Sequence, residues 1–242
     1  MKFELLKDNI ELAAAEVLAL AKVKDYSLKD NVLEIGEDIP GLDKRLALTK
    51  KIIIGGRELK ISKKELMNRR THFLPGMHPA STVPKLARAM VNLTGASDGD
   101  LIVDPFCGAA GILIEAALMG FKIVGYDIDE VMLERARKNL DYFKIKDYKL
   151  EKKDATTVNY KGYIIADLPY GLNTKVSEEV EELYLKFFKR LNKVKKAIIG
   201  LPDFVDCDKL IKESKLKIEQ EFTWYLHKNL SKKIIITYPE SP

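Results

Sequence analysis

Apolar and charged residues alternate over 2–6, recur at helical spacing over 10–22, and alternate again over 31–35. This predicts strand, amphipathic helix, strand. A turn-rich run, 36–41, leads to a third apolar strand near 52–54, closed by Gly55 and Gly56, so the first ~65 residues read as a small α+β module. Residues 57–80 are basic and then rich in turn formers, and the stretch from Phe73 to Pro79 reads as a linker folding back on its neighbour. We expect a boundary near 65. Residues 66–95 would form a linker and a helix entered through Pro84, capped by Ser81 and packed on the larger domain through Leu86, Ala87, Met90, Val91 and Leu93. Over 96–242, apolar runs at 101–104, 122–127, 148–151, 163–167 and 196–201 alternate with helical patterns near 111–119, 129–143, 177–191 and 206–214. That succession predicts a doubly wound parallel sheet with right-handed crossovers. Two further strand-like segments, 215–227 and 232–238, have no helix between them and predict a terminal hairpin that adds one antiparallel strand.

Composition narrows the class. The 242 residues, 46% hydrophobic, suffice for one full α/β domain and a small module. Charged residues interrupt the apolar ones throughout MKFELLKDNIELAAAEVLAL, leaving neither a signal-peptide core nor a span of ~20 apolar residues. The expected location is the cytoplasm. Cys107 and Cys207 stand a hundred positions apart with no CxxC or Cys/His cluster, so no disulfide framework and no metal site follow. Lysine outnumbers arginine 33 to 8, a bias of hot or AT-rich organisms. Charge is uneven: residues 1–43 hold five basic and ten acidic side chains, residues 44–72 ten basic and two acidic. The second stretch reads either as a footprint for phosphate backbones or as lysines that keep a small module soluble.

In an open α/β sheet, ligands bind beyond the carboxyl ends of the strands, so residues ending each strand carry the information. The first strand of the larger domain ends at Asp104 and runs into Pro105-Phe106-Cys107-Gly108-Ala109-Ala110-Gly111, small residues that let a ligand lie against backbone at a helix start. The loop is not the GxGxxG fingerprint. The second strand ends at Asp127, 23 residues on, about the spacing at which an acidic residue meets a ribose diol. Asp154 after the third strand suits an exocyclic amine of adenine, with Ile128 and Ala155 flanking the ring. Any one of these aspartates reads equally as a helix cap; the series of strand ends reads as a site. The fourth strand ends Asp167-Leu168-Pro169-Tyr170-Gly171. The Asp167 carboxylate and the Leu168 carbonyl can both accept from an NH2 group, and Tyr170 can stack on a planar base. The alternative is a plain β-turn with a buried tyrosine.

DPFCGAAG at 104–111, the aspartates at 127 and 154, and DLPYG at 167–171 resemble, in order and spacing, the motifs of class I S-adenosylmethionine-dependent methyltransferases. DPFCG followed by GILIEAALMG, DLPYG and HKNLSKK more narrowly resembles the archaeal tRNA (guanine(10)-N2)-methyltransferase family, as does HPASTVPKLAR at 78–88. The resemblance implies a Rossmann-like seven-stranded methyltransferase sheet with a terminal antiparallel hairpin, beside a ferredoxin-like N-terminal module. It implies S-adenosylmethionine as cofactor, with Asp104, Phe106, Gly108 and Gly111 around the methionine moiety, Asp127 on the ribose, Asp154 on the adenine, and His78 and Ser81 closing the pocket. It places Asp167, Leu168, Pro169 and Tyr170 around the target base. Two departures stand out: Leu168 replaces the first proline of the commoner DPPY form, and the SLTR-like segment appears as Asn229-Leu230-Ser231-Lys232. Relatives also carry a full-length THUMP domain, for which the first 65–70 residues have no room. Capture of tRNA would then lean on Arg57, Lys63, Lys64, Arg69, Arg70 and Lys232, or on a small activator or RNA-capture subunit.

The expected reaction is methylation of the exocyclic N2 amine of a guanine in tRNA, at position 10. Two alternatives stay open: an amino methyltransferase acting on another RNA guanine or on adenine in DNA, and a non-catalytic RNA-binding scaffold that keeps the fold. His72 and His227 read as solvent- or RNA-facing, Trp224 and Tyr225 as core and edge aromatics, and Cys107 as a small buried residue.

Overall fold

The computed structural model describes residues 1–78, 81–169, 178–227 and 230–240. Its first module is a five-stranded antiparallel sheet of β1 (Lys2–Leu5), β2 (Tyr26–Lys29), β3 (Val32–Ile35), β4 (Thr49–Ile54) and β5 (Arg57–Lys60), in the order β2-β3-β1-β4-β5. Helices α1 (Ile10–Ala21) and α2 (Leu42–Arg45) make the crossovers, so the first four strands have the ferredoxin-like order and β5 extends them as a hairpin. The sequence reading missed β2 and β5. Every residue of both strands is exposed, and with no buried face there is no periodicity to read.

Helix α1 starts where the Asn9 side chain accepts from Leu12 N at 2.9 Å and stops where Lys22 turns left-handed. Helix α3 (Lys64–Asn68) and a short turn at 71–73 lead to α4 (Pro84–Leu93). The cap of α4 is a correction: Val83, not Ser81, is the N-cap, no side chain bonds the first turn, and Pro84 presets the backbone. The 71–78 segment folds back as expected. Gly76 N–H donates to Asn139 Oδ1 at 2.7 Å, and a Cβ at Gly76 would stand 2.2 Å from the Arg135 carbonyl oxygen, so only glycine fits.

The larger module is a seven-stranded sheet of β6 (Leu101–Asp104), β7 (Lys122–Asp127), β8 (Tyr148–Lys152), β9 (Tyr163–Asp167), β10 (Lys196–Pro202), β11 (Leu216–His227) and β12 (Leu230–Pro239). Its order is β11-β12-β10-β9-β6-β7-β8. The inner strands pair in parallel, while β12 lies antiparallel between β10 and β11. The predicted doubly wound sheet with its terminal hairpin is therefore what forms. Helices α5 (Gly111–Leu118), α6 (Glu130–Tyr142), α7 (Glu178–Phe188) and α8 (Cys207–Ser214) cover it. Asp129 caps α6 and Asp206 caps α8. Strand β9 buries Ile164, Ile165 and Ala166 completely, as a central parallel strand covered on both faces must.

Helix α4 packs between α1 and α5 and joins the two modules. Glu16 of α1 has no exposure; its carboxylate accepts from Ala47 N at 2.7 Å, Leu48 N at 2.8 Å and Asn92 Nδ2 at 2.7 Å. Burial pushes its pKa up, against these donors. On α5, Glu115 receives Arg69 at 2.6 and 3.0 Å and Arg88 at 3.1 Å, and Arg88 also reaches the Arg45 carbonyl at 2.9 Å. Among the described residues no helix is long and apolar enough to cross a membrane.

Candidate active site

Strands β6, β7 and β9 end on the same edge of the sheet, so Asp104 and Asp167, far apart in sequence, line one cleft, with Asp127 behind its loop. Its walls are His78, Ser81 and Thr82 from the segment before α4, Asp104 and the loop beyond it, and Asp167 from β9. The loop turns tightly: Gly108 and Ala110 adopt φ of +48° and +68°, and the left-handed Ala110 stands just before the first residue of α5. A Cβ added at Gly111 would lie 3.6 Å from the Thr82 carbonyl oxygen, so the linker presses on the start of α5. Turn formers in the sequence place only a linker there; it is the family resemblance that brings His78 and Ser81 to the pocket.

Asp104 is 1% exposed, and its Oδ1 accepts from Phe106 N at 3.1 Å. Burial raises its pKa well above the ordinary carboxylate range, and the nearby charges of Asp167 and Asp127 add to the shift. Asp127 orders the loop from the next strand: Oδ2 accepts from Gly108 N and Oδ1 from Asp129 N, both at 2.9 Å. Phe106 packs edge-on against Phe187 of α7 with centroids 5.1 Å apart. Cys107 is buried, and burial beside Asp104 and Asp127 pushes its thiol above its ordinary pKa, which disfavours the thiolate.

The other adenine-side candidates lie around Asp127. Lys153 N donates to the Asp127 carbonyl, which brings Asp154 alongside. The Asp154 carboxylate accepts from Thr156 N and Oγ1, both at 2.8 Å, and so folds its own turn. Ala155 is buried, whereas Ile128 is exposed.

On β9, Leu168 N donates to the Gly200 carbonyl at 2.8 Å, and the Tyr184 hydroxyl donates to the Pro169 carbonyl at 2.7 Å, so the strand and α7 together hold the motif. Tyr170 and Gly171 lie outside the described residues, as do Pro79, Ala80 and Asn229. The Asp167 carboxylate receives Lys232 Nζ on both oxygens, at 2.7 and 2.6 Å, and the Thr82 hydroxyl on Oδ2. Nothing local in the sequence signals that meeting.

The candidate RNA contacts divide. Arg69 is paired with Glu115, Lys63 donates to the Leu46 carbonyl at 3.1 Å, and Lys232 is paired with Asp167. Burial pushes the Lys63 ammonium down to about 8. Lys50 and Lys51 pair with Glu4 across the outer face of the small sheet. Arg57, Lys60 and Lys64 are exposed and Arg70 half-buried; among the described residues none of these four forms an ion pair. Trp224 is buried with Lys85 over its ring at 5.2 Å, and Tyr225 is exposed. Among the described residues no group of three or more His, Cys, Asp or Glu has an arrangement that holds a metal ion.

Residues 71–232 match the family model described as RMKL-like, methyltransferase domain (UPF0020). The chain is 36% identical over 201 residues to the tRNA (guanine(10)-N2)-dimethyltransferase of Methanothermobacter thermautotrophicus, covering 80% of this chain and 58% of that protein. It is 32% identical over 238 residues to the protein of the same name from Pyrococcus abyssi, covering 95% and 72% respectively. The chain therefore spans a little over half to about three quarters of these relatives. In fold it resembles the crystal structure of TrmN from Thermus thermophilus, with a TM-score of 0.62 and 15% identity over 99% of each chain.

Proposed function

The chain belongs to the RMKL-like methyltransferase domain family, and from that premise we propose that it transfers a methyl group from S-adenosylmethionine to the exocyclic N2 amine of guanine 10 in tRNA. The observation that carries the reading is the single cleft that joins Asp104 and the glycine loop to Asp167. Asp104, Phe106, Gly108 and Gly111, which would hold the methionine part of the donor, line the same cavity as Asp167, which would hold the acceptor. The relatives' names supply the acceptor base and its position.

The residues fit the cofactor. Asp104 is a buried carboxyl whose charge is disfavoured by burial and by two neighbouring carboxylates, so a ligand carrying positive charge relieves what the protein alone does not. The turn at Gly108 keeps side chains away from the start of α5, where backbone N–H groups point outward. Asp104, Phe106, Gly108 and Gly111 would hold the methionine part, Asp127 the ribose hydroxyls, Asp154 with Ile128 and Ala155 the adenine, and His78 and Ser81 would close the linker side. When bound, S-adenosylmethionine supplies a methyl group already activated on a sulfonium. The chain's own task is then alignment and charge compensation. Asp167 and the Leu168 carbonyl accept from the guanine NH2 and so orient its nitrogen; Asp167 stabilises the positive charge that develops there and takes the proton after transfer, directly or through water. Tyr170 would stack on the base. A base in a paired stem must first be flipped out, which costs a few kcal/mol. Capture of the tRNA falls to the exposed cations of the first module, or to a small activator subunit, and the setting is cytoplasmic.

Asp167→Ala should lower kcat on the order of 10³-fold while cofactor affinity, measured by calorimetry, stays unchanged. Purified wild type incubated with total RNA and labelled cofactor, followed by nuclease mapping and nucleoside mass spectrometry, should yield N2-methylguanosine at position 10. A product on adenine or on a different guanine, or cofactor binding with no product, would replace this reading with one of its rivals.

A further inference from the structure

Among the described residues, Lys232 and Thr82, both outside the Asp-Leu-Pro-Tyr motif, hold the Asp167 carboxylate. Lys232 stands on β12, with its Nζ 2.7 Å from Oδ1 and 2.6 Å from Oδ2. Thr82 donates to Oδ2 from the linker. Strand β10 lies between β9 and β12, with Gly200 in register with Asp167 on one side and Pro202 in register with Lys232 on the other. The lysine stem therefore has to cross β10 to reach the acid. It crosses at Gly200, where an added Cβ would stand 3.1 Å from Lys232 Cδ and 3.2 Å from Asp167 Oδ1. A missing side chain opens the passage, and the crossing leaves the lysine side chain only 4% exposed.

That burial argues against a phosphate contact, because a lysine that reads a nucleic-acid backbone keeps its ammonium in solvent until the backbone arrives. It also argues against a pair kept for stability alone, since the desolvation of a buried ammonium beside a half-buried carboxylate offsets much of what their attraction gains. Asp167 lines the cleft together with Asp104 and the glycine loop, and its two contacts tie the linker and β12 to the carboxylate at the end of β9. We propose that Lys232, admitted across Gly200 and seconded by Thr82, is a positioning residue of methyl transfer. It holds the Asp167 carboxylate in one rotamer, aimed into the cleft, for the amine it orients. The role rests on the assignment of Asp167 as the amine-holding group.

The test compares Lys232→Met, which keeps length without charge, and Lys232→Arg with wild type in steady-state kinetics, cofactor calorimetry and thermal unfolding. Lys232→Met should lower kcat about 100-fold, the scale of a displaced reacting group, with the KM for tRNA and the cofactor affinity unchanged. Lys232→Arg should recover part of kcat. Gly200→Ala, which crowds the lysine stem and the Asp167 carboxylate alike, should lower kcat by a smaller factor. Wild-type kcat in Lys232→Met overturns the proposal, as does a loss confined to KM with a salt slope reduced by about one, the mark of a phosphate contact. A fall in melting temperature with unchanged kcat per folded molecule also overturns it. Should Lys232→Met not fold, Gly200→Ala and Thr82→Val decide, and wild-type kcat in both rejects the role. If wild type methylates an amine other than guanine N2, the substrate assignment fails and the same comparison on that amine judges the lysine; cofactor binding without turnover on any nucleic acid rejects both.

Discussion

Asp104 shows how one buried group ties the cleft to solution conditions. Its pKa is raised in the free protein, chiefly by burial, so the protonated form persists to higher pH than in an ordinary aspartate. A cationic ligand placed beside it favours the ionised form. Binding of S-adenosylmethionine should therefore release a proton, and affinity should climb with pH until the raised value is passed, then level off. Calorimetry in two buffers of different ionisation enthalpy measures the proton directly; Asp104→Asn should bind more weakly and lose the pH dependence. The aspartate was legible in the sequence because parallel strands put their carboxyl ends on one edge, so an acidic residue ending an apolar run is already placed. Lys232 was legible as the last residue of the SLTR-like segment and as a candidate RNA contact, not as a partner of Asp167. Its partner, and the glycine it crosses, exist only once β10 lies between β9 and β12.

At the scale of elements, the junction between modules is polar at its centre. Glu16 interrupts the apolar run of α1, and its two oxygens serve two backbone N–H groups and the Asn92 amide. Glu16→Ala leaves those buried donors without an acceptor, and each such loss costs 1–3 kcal/mol, so we expect urea unfolding to show a loss of about 3 kcal/mol. Wild-type stability would show the donors finding other partners. In the sequence, Glu16 looks like one more charge on a surface helix. The inner strands of the large sheet were legible as apolar runs of sheet length, yet β2 and β5 were not: their residues face solvent on both sides, and only pairing with β3 and β4 makes them strands.

Across the whole molecule, the basic excess of residues 44–72 is spent in two ways. Part of it neutralises the protein's own carboxylates, Lys51 on Glu4 and Glu58 and Arg69 on Glu115, and part, Arg57, Lys60, Lys64 and Arg70 included, forms no ion pair among the described residues. Charge counts along a chain cannot separate the two uses; folding does. If those four cations meet the tRNA backbone, replacing all four by alanine should weaken tRNA binding at low salt and flatten its log–log salt slope by up to about four, with cofactor affinity intact. Filter binding across a salt series measures both. The placement of β12 has one more result. It comes last in chain order among the strands yet is inserted between two others, and it brings the lysine that meets Asp167. A ribosome must therefore release almost all of these residues before β12 can pair with β10 and bring Lys232 to Asp167, so a nascent chain stalled before residue 230 would emerge with an incomplete reaction centre and should leave RNA unmodified.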